Sequence, residues 1–295
     1  MRTSAFFSLI FVSAALVAQA PAQAPAQSLG DRVKAERVAL EPLLAELKYP
    51  EAMKRAEALL PVAKPTFDKT NNQMLVQSCG TFLDVAEAHR LAAETADSAG
   101  AWEKALDFAK TAKGLAVDCY AAAKAPLEQN VAGYTMAVAR AKQVLTENAD
   151  RIKTLKGMTV LDPGERQELD LAIGVEKEVV DSTAAVTFFK TYLDVTKRES
   201  EAYNPIVKVM EDKLKSEADQ VADYKAGKGD RSKWVDAVIS SPAYLEAQGD
   251  RAGKARWLYR LATIDPDNKK VQHQLDILQG KTSAPVKPVK KGKKA

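Results

Sequence analysis

The stretch NQMLVQSCGTFLDVAEAHRLAAETADSAGAWEKALDFAKTAKGLAVDCYAAA, residues 72–123, decides the reading of the fold. Two apolar stripes run through it. Leu75, Cys79, Phe82, Ala86, His89 and Ala93 follow a 4-3-4-3-4 spacing, and Ala105, Ala109, Ala112, Ala116, Cys119 and Ala123 repeat it. Steps of three and four place each set on one face of an α-helix. Between them, Asp97-Ser98-Ala99-Gly100 carries turn chemistry. The stretch therefore predicts an antiparallel helical hairpin. Cys79 lies 20 positions before Ala99 and Cys119 lies 20 after it, so the two cysteines stand at one height on facing stripes. The alanine face lets the backbones approach, which favours the roughly 5.5–6 Å Cα separation of a disulfide. Two readings remain open. One is a Cys79–Cys119 disulfide closing a loop of about 40 residues, which stabilises by about 4 kcal/mol in the chain-entropy model. The other is a pair of buried free thiols, since cysteine is among the most buried residues.

Upstream, Met1-Arg2 gives a short basic start, followed by an apolar run from Ala5 to Ala18 that contains only two serines. That run is too short to span a bilayer, and Ala18-Gln19-Ala20 has the small-x-small form of a cleavage site. Residues 1–20 are expected to be a signal peptide, and residues 21–30 a flexible Pro/Ala/Gln leader. No cysteine lies near the cleavage point, so the bacterial lipoprotein pattern is absent. The expected location is periplasmic or secreted, an oxidising compartment in which a disulfide persists.

Composition and charge narrow the class. The apolar fraction is 46% but leans on alanine, and aromatics make up only 6%, which suits closely packed helices. The net charge is +4. Setting aside Arg2 and the six lysines after Gly280 leaves the body between Pro21 and Gly280 at −3. The basic pI thus belongs to the tail, and the folded part does not carry the charge of a nucleic-acid-binding surface.

Taken in order, the chain reads as helix after helix. Residues 31–47 place Val33, Leu40, Leu44 and Leu47 on one side, with Pro42 able to kink the helix or start a new segment. Pro50 suits the first turn of a short helix reaching about residue 60. With the hairpin of residues 72–123, these form an N-terminal region of residues 31–125. Pro126 is expected to open a long helix whose Leu127, Val131, Tyr134, Val138, Ala141, Leu145, Ile152 and Leu155 keep a heptad rhythm, Asn148 filling the missing step. After an Asp162-Pro163-Gly164 turn, Ala172, Val175, Val179, Ser182, Val186, Phe189 and Leu193 form the facing stripe of a second, longer, coiled-coil-like hairpin. Asn204-Pro205 either begins a new helix or kinks the preceding one. Residues 126–226 form the central region and residues 227–280 a C-terminal set of shorter helices. Residues 281–295 are Lys/Pro-rich and expected to be disordered. No run reads as a convincing strand. The fold class is all-α: antiparallel helical hairpins in an α-solenoid-like array with a longer central hairpin.

Residues 249–268, GDRAGKARWLYRLATIDPDN, resemble the second helix and exit of a tetratricopeptide repeat, with Ile264-Asp265-Pro266 in the place of the family's hydrophobic-Asp-Pro turn. Leu258 and Leu261 fall where that family packs an aromatic and a small residue. Residues 102–112, with Ala105, Ala109 and Ala112, look similar, and residues 50–60 more loosely so. Less than a third of the chain is covered, and the long central helices do not fit the repeat length. The resemblance implies protein or peptide binding in a concave groove.

Catalytic constellations are absent from the sequence. His89 and His273 are the two histidines; His89 sits on the packed stripe, with Glu87 two residues away rather than three or four and Ala86 where an ExxH motif would need its glutamate. No HExxH, CxxC or GxSxG occurs, and the glycines of Gly227-Lys228-Gly229 lack the context of a phosphate loop. An alanine-lined stripe would raise a thiol's pKa rather than activate it. No catalytic, cofactor or metal residue is therefore assigned, no cofactor or small-molecule substrate is expected, and the protein reads as a non-enzyme. Two features are candidates for binding. Trp234, Tyr244, Arg256, Trp257, Tyr259 and Arg260 have the composition of an interface anchor, unless the tryptophans knit neighbouring helices together. Lys281, Lys287, Lys290, Lys291, Lys293 and Lys294 form a tail that can attract anionic polymers or lipid, or simply solubilise the chain. The function expected is an exported, non-catalytic scaffold or protein-interaction protein of the bacterial envelope, whose partner is another envelope protein or peptide. The alternative is a tail-mediated binder of anionic polymers or membranes.

Overall fold

The computed structural model describes residues 28–223, 231–240 and 251–281. The expected signal peptide, residues 21–27 of the leader, Tyr244 and the lysines from Lys287 onward lie outside these residues. All regular elements among the described residues are helices, in agreement with the all-α expectation. In chain order they are α1 (Leu29–Ala45), α2 (Tyr49–Glu57), α3 (Asn72–Ser98), α4 (Trp102–Glu147), α5 (Ala149–Gly157), α6 (Pro163–Ala202), α7 (Asn204–Asp223), α8 (Arg231–Ile239), α9 (Arg251–Ile264) and α10 (Lys269–Leu278). The described residues divide into two compact units, one of residues 124–194 and one of residues 28–123, 195–223, 231–240 and 251–281. The boundaries fall inside α4 and α6.

The larger unit is built on the α3–α4 hairpin. Asn71 caps α3 by accepting the Met74 N–H at 2.9 Å. Gly100 makes the turn at φ 71°, and a Cβ there would meet the Arg260 backbone nitrogen at 2.5 Å. Only glycine satisfies both the left-handed conformation and the close approach. The stripe residues of α4 up to Ala123 are buried, as are Leu75, Cys79, Phe82, Ala86 and Ala93 on α3, while His89 is half-buried. One side of α3 receives α1 and α2 through Val33, Leu40, Ala52 and Ala56. Arg37 of α1 bridges Glu87 and Glu94 of α3 at 2.8 and 2.5 Å. The small residues Ala93, Ala96, Ala105 and Ala109 accept Val207 and Met210 of α7. At the C-terminus α8, α9 and α10 share a cluster of Trp234, Val235, Ile239, Leu258, Leu261, Val271 and Leu275.

The smaller unit is the long hairpin. Here α4 and α6 meet through the stacked rings of Tyr134 and Phe189, 5.8 Å apart. Arg151 and Lys156 of α5 pair with Glu168 and Glu176 of α6 at 2.9 and 2.6 Å. Asp162 and Glu165 form a reciprocal capping box at the start of α6: Asp162 accepts the Glu165 N–H at 2.7 Å and donates its own N–H to Glu165 at 3.1 Å.

Two local expectations are corrected. Pro126 does not open a helix, because α4 runs through it from Trp102 to Glu147. The flanking Ala-Ala-Ala-Lys-Ala and Leu-Glu-Gln segments are strong helix formers that absorb the lost amide donor. The boundary placed between residues 125 and 126 falls inside α4, two residues from the division between the two compact units. Asn148 does not continue the heptad helix: it separates α4 from α5, its side-chain amide donating to the Val144 carbonyl at 2.8 Å. At Pro42 the alternative of a new segment falls away, because α1 passes through it. At Pro205, one of the two alternatives holds. α6 ends at Ala202 and α7 begins at Asn204, with Tyr203 buried between them.

Candidate functional site

The aromatic and arginine cluster is largely turned inward. Arg260 is 1% exposed. Its guanidinium donates to Glu103 at 2.6 and 2.8 Å, to Glu217 at 2.6 Å through Nε, and to the Gly100 carbonyl at 3.3 Å. It also lies 4.7 Å from the centre of the Trp102 ring. Burial opposes the charge, but the bonds to Glu103 and Glu217 outweigh it and hold the guanidinium above its ordinary pKa. Lys213 adds a parallel tie to Asp97 at 2.6 Å. Arg260 thus joins α9 to the start of α4 and to α7, within a single unit. Tyr259 donates its hydroxyl to the Leu47 carbonyl at 3.2 Å and packs edge-on against Tyr49. Trp234 is buried in the α8–α10 cluster, and half-buried Trp257 lies edge-on to Trp102 at 6.4 Å. Of the residues read as a partner-facing cluster, Trp234 and Arg260 belong to the interior and Trp257 and Tyr259 join helices. Arg256 is exposed.

Cys79 and Cys119 meet, as the equal distances from the turn require. Both are fully buried and both are free thiols, and the Cys119 thiol donates to the Cys79 carbonyl at 3.8 Å. A hydrogen bond from Cys119 lowers the Cys79 thiol pKa, assisted by Lys69 and opposed by burial, while Cys119 itself is pushed up. Segment 58–71 crosses this region. Its Asp68 N–H donates to Ser78 Oγ at 3.0 Å, Lys64 pairs with Asp118 at 2.6 Å, and the Phe67 ring lies 4.3 Å from that of Phe82. Beneath it is an open cavity of about 290 Å³ lined by Pro61, Pro65, Val85, His89 and Leu115. His89 Nδ1 is buried without a hydrogen-bond partner. Burial lowers the His89 pKa, and Asp107 only partly offsets it. A larger open groove, about 500 Å³, lies between α2, the α3–α4 turn and α9, with Met53, Ala101 and Tyr259 in its wall.

The surface missed in the sequence is on α6. Ile173 is 49% exposed, Val180 65% and Phe188 50%. With exposed Ala184 and Thr187 they form one outer stripe, opposite buried Ala172, Ser182 and Phe189. Phe188 stacks on Tyr192 one turn ahead, with ring centres 6.0 Å apart, and is edge-on to Phe189. The periodic signal Ile173–Val180–Ala184–Phe188 was present, but the inward stripe of the same helix masked it. Exposed Lys177 lies within the stripe, four residues after Ile173 and three before Val180, and exposed Asp181 and Lys190 add charges of both signs to the helix surface beside it.

Among the described residues no group of three or more His, Cys, Asp or Glu side chains could hold a metal ion, and no helix is long and apolar enough to cross a membrane. No family model, curated protein or solved structure matches the chain.

Proposed function

We propose that the protein is an exported, non-catalytic helical scaffold whose long hairpin receives an amphipathic helix of a partner protein of the bacterial envelope. The observation that carries this reading is the outer stripe of α6, with Ile173, Val180 and Phe188 each about half exposed or more. A hairpin of two helices has no third layer to cover such a face. From Ile173 to Phe188 the stripe extends about 22 Å at 1.5 Å per residue, a length suited to four turns of a partner helix. An added β-strand would need a sheet edge to pair with, and the hairpin offers none, so helix-in-groove docking is the matching mode. Charges of both signs beside the stripe suit the mixed flanks of an amphipathic helix. The tetratricopeptide-like sequence of residues 249–268 points to the same class of function. The absence of nucleophile, metal and phosphate-loop motifs in the sequence favours binding over catalysis.

The test uses the full chain carrying Val180→Glu or Phe188→Glu. A photo-crosslinker at position 184 is expected to trap one partner segment, sequenced by mass spectrometry, with apolar residues at three-four spacing. A synthetic peptide of that sequence should bind the wild-type chain and lose at least tenfold in affinity to either variant. Trapping of a second copy of this chain, or binding unchanged in both variants, contradicts the proposal.

A further inference from the structure

The thiol pair and the segment that crosses it lead to a second conclusion, independent of the α6 surface. Leu59 and Leu60 anchor the start of segment 58–71 on the cluster of α1, α2 and α3, and its later fastenings are next to the cysteines. Ser78, which accepts the Asp68 N–H, precedes Cys79, and Asp118, which pairs with Lys64, precedes Cys119. Phe82, under Phe67, is one turn beyond Cys79 on the same face. Both sulfurs are buried at 0% exposure, and the Cys119 Sγ lies 3.8 Å from the Cys79 carbonyl oxygen. Thiol–disulfide exchange requires an oxidant's sulfur to approach a thiolate directly. With segment 58–71 fastened, both cysteines are at 0% exposure, so an oxidant has no direct approach to either sulfur.

We propose that Cys79 and Cys119 are a disulfide-forming site gated by segment 58–71: the bond is made before the segment fastens, and the fastened segment then shields it from exchange. The co-reactant is a disulfide, either a low-mass one such as oxidised glutathione or the active disulfide of a thiol oxidoreductase. In the first step the Cys79 thiolate attacks one sulfur of that disulfide, and its other sulfur leaves as a thiol. In the second, the Cys119 thiolate attacks the Cys79 sulfur of the mixed disulfide and releases the remaining thiol. The pair loses two electrons and two protons, and the co-reactant's S–S bond is reduced to two thiols. Cys79 is the first attacker because the hydrogen bond from Cys119 and nearby Lys69 both favour its thiolate.

The experiment compares two treatments of the reduced full chain with oxidised glutathione, followed by alkylation and intact mass. Chain refolded from denaturant in its presence is expected to emerge with an intramolecular bond and no alkylatable thiol. Chain already folded should oxidise at least about tenfold more slowly, and Phe67→Ala and Lys64→Ala should each recover much of that loss while the helical circular dichroism is retained. If a variant fails to fold, the wild-type rate in sub-denaturing urea decides instead. A slope much shallower than that of global unfolding supports opening of the segment, and a slope equal to it contradicts the gate. Two free thiols after oxidative refolding, or a folded chain that oxidises as fast as the denatured one, overturns the proposal.

Discussion

Arg260 shows how far one side chain's role can depart from its residue type. An arginine beside tryptophan and tyrosine has the composition of an interface anchor, yet its carboxylate partners lie 157 and 43 positions away in the chain, at Glu103 and Glu217. No local pattern announces such a pairing, so its burial was not legible in the sequence. Removing one member of a buried pair leaves the other desolvated and uncompensated. Arg260→Met should therefore lower stability by about 3 kcal/mol, measured by urea unfolding. Glu217→Gln should cost clearly more than Glu103→Gln, because Glu103 is 63% exposed and Glu217 only 14%. Equal small losses for both would place the arginine's anchoring elsewhere. His89 gives a pH signature. Its folded-state pKa lies below the ordinary value of 6.5, with burial the main cause. Below that value the unfolded chain binds a proton that the folded chain resists, so this group's contribution is full above pH 6.5 and fades as pH falls. His89→Gln should accordingly lose less stability between pH 7 and pH 5 than wild type does, in parallel urea titrations.

At the scale of elements, apolar periodicity is legible in the sequence and helix punctuation less so. The α3–α4 stripes were legible because small residues at three-four spacing leave few alternatives, and all six α4 stripe positions are buried. Pro126 is misleading in the sequence, because strong helix formers on both sides carry the helix through it. Such a proline remains costly. Pro126→Ala restores an amide donor and removes a steric clash with the preceding turn, and it should raise stability by about 1–3 kcal/mol. A lowered melting temperature in that variant would mean that the proline is needed where it stands. Asp162 belongs to the turn expected from Asp162-Pro163-Gly164, and the structure adds its capping box with Glu165. Asp162→Ala should cost about 1 kcal/mol.

For the molecule as a whole, helical class and the two hairpins followed from periodicity, while the candidate binding surface did not. Each face of α6 carries apolar residues at helical spacing, and sequence alone gives no reason to choose which face turns inward. The inward set wins because Phe189 has the Tyr134 ring to stack on, which leaves Ile173, Val180 and Phe188 exposed. A scaffold that works through this face should keep its fold when the face is made polar, since these residues support little of the interior. Val180→Glu should leave the melting temperature within a few degrees of wild type. The most direct measurement is binding of the crosslink-identified partner helix, as a synthetic peptide, to wild type and to Val180→Glu under identical salt. Saturable binding by wild type and at least a tenfold loss in the folded variant is the expected result. Equal affinity for both proteins would contradict the assignment of the α6 face as the site of partner recognition.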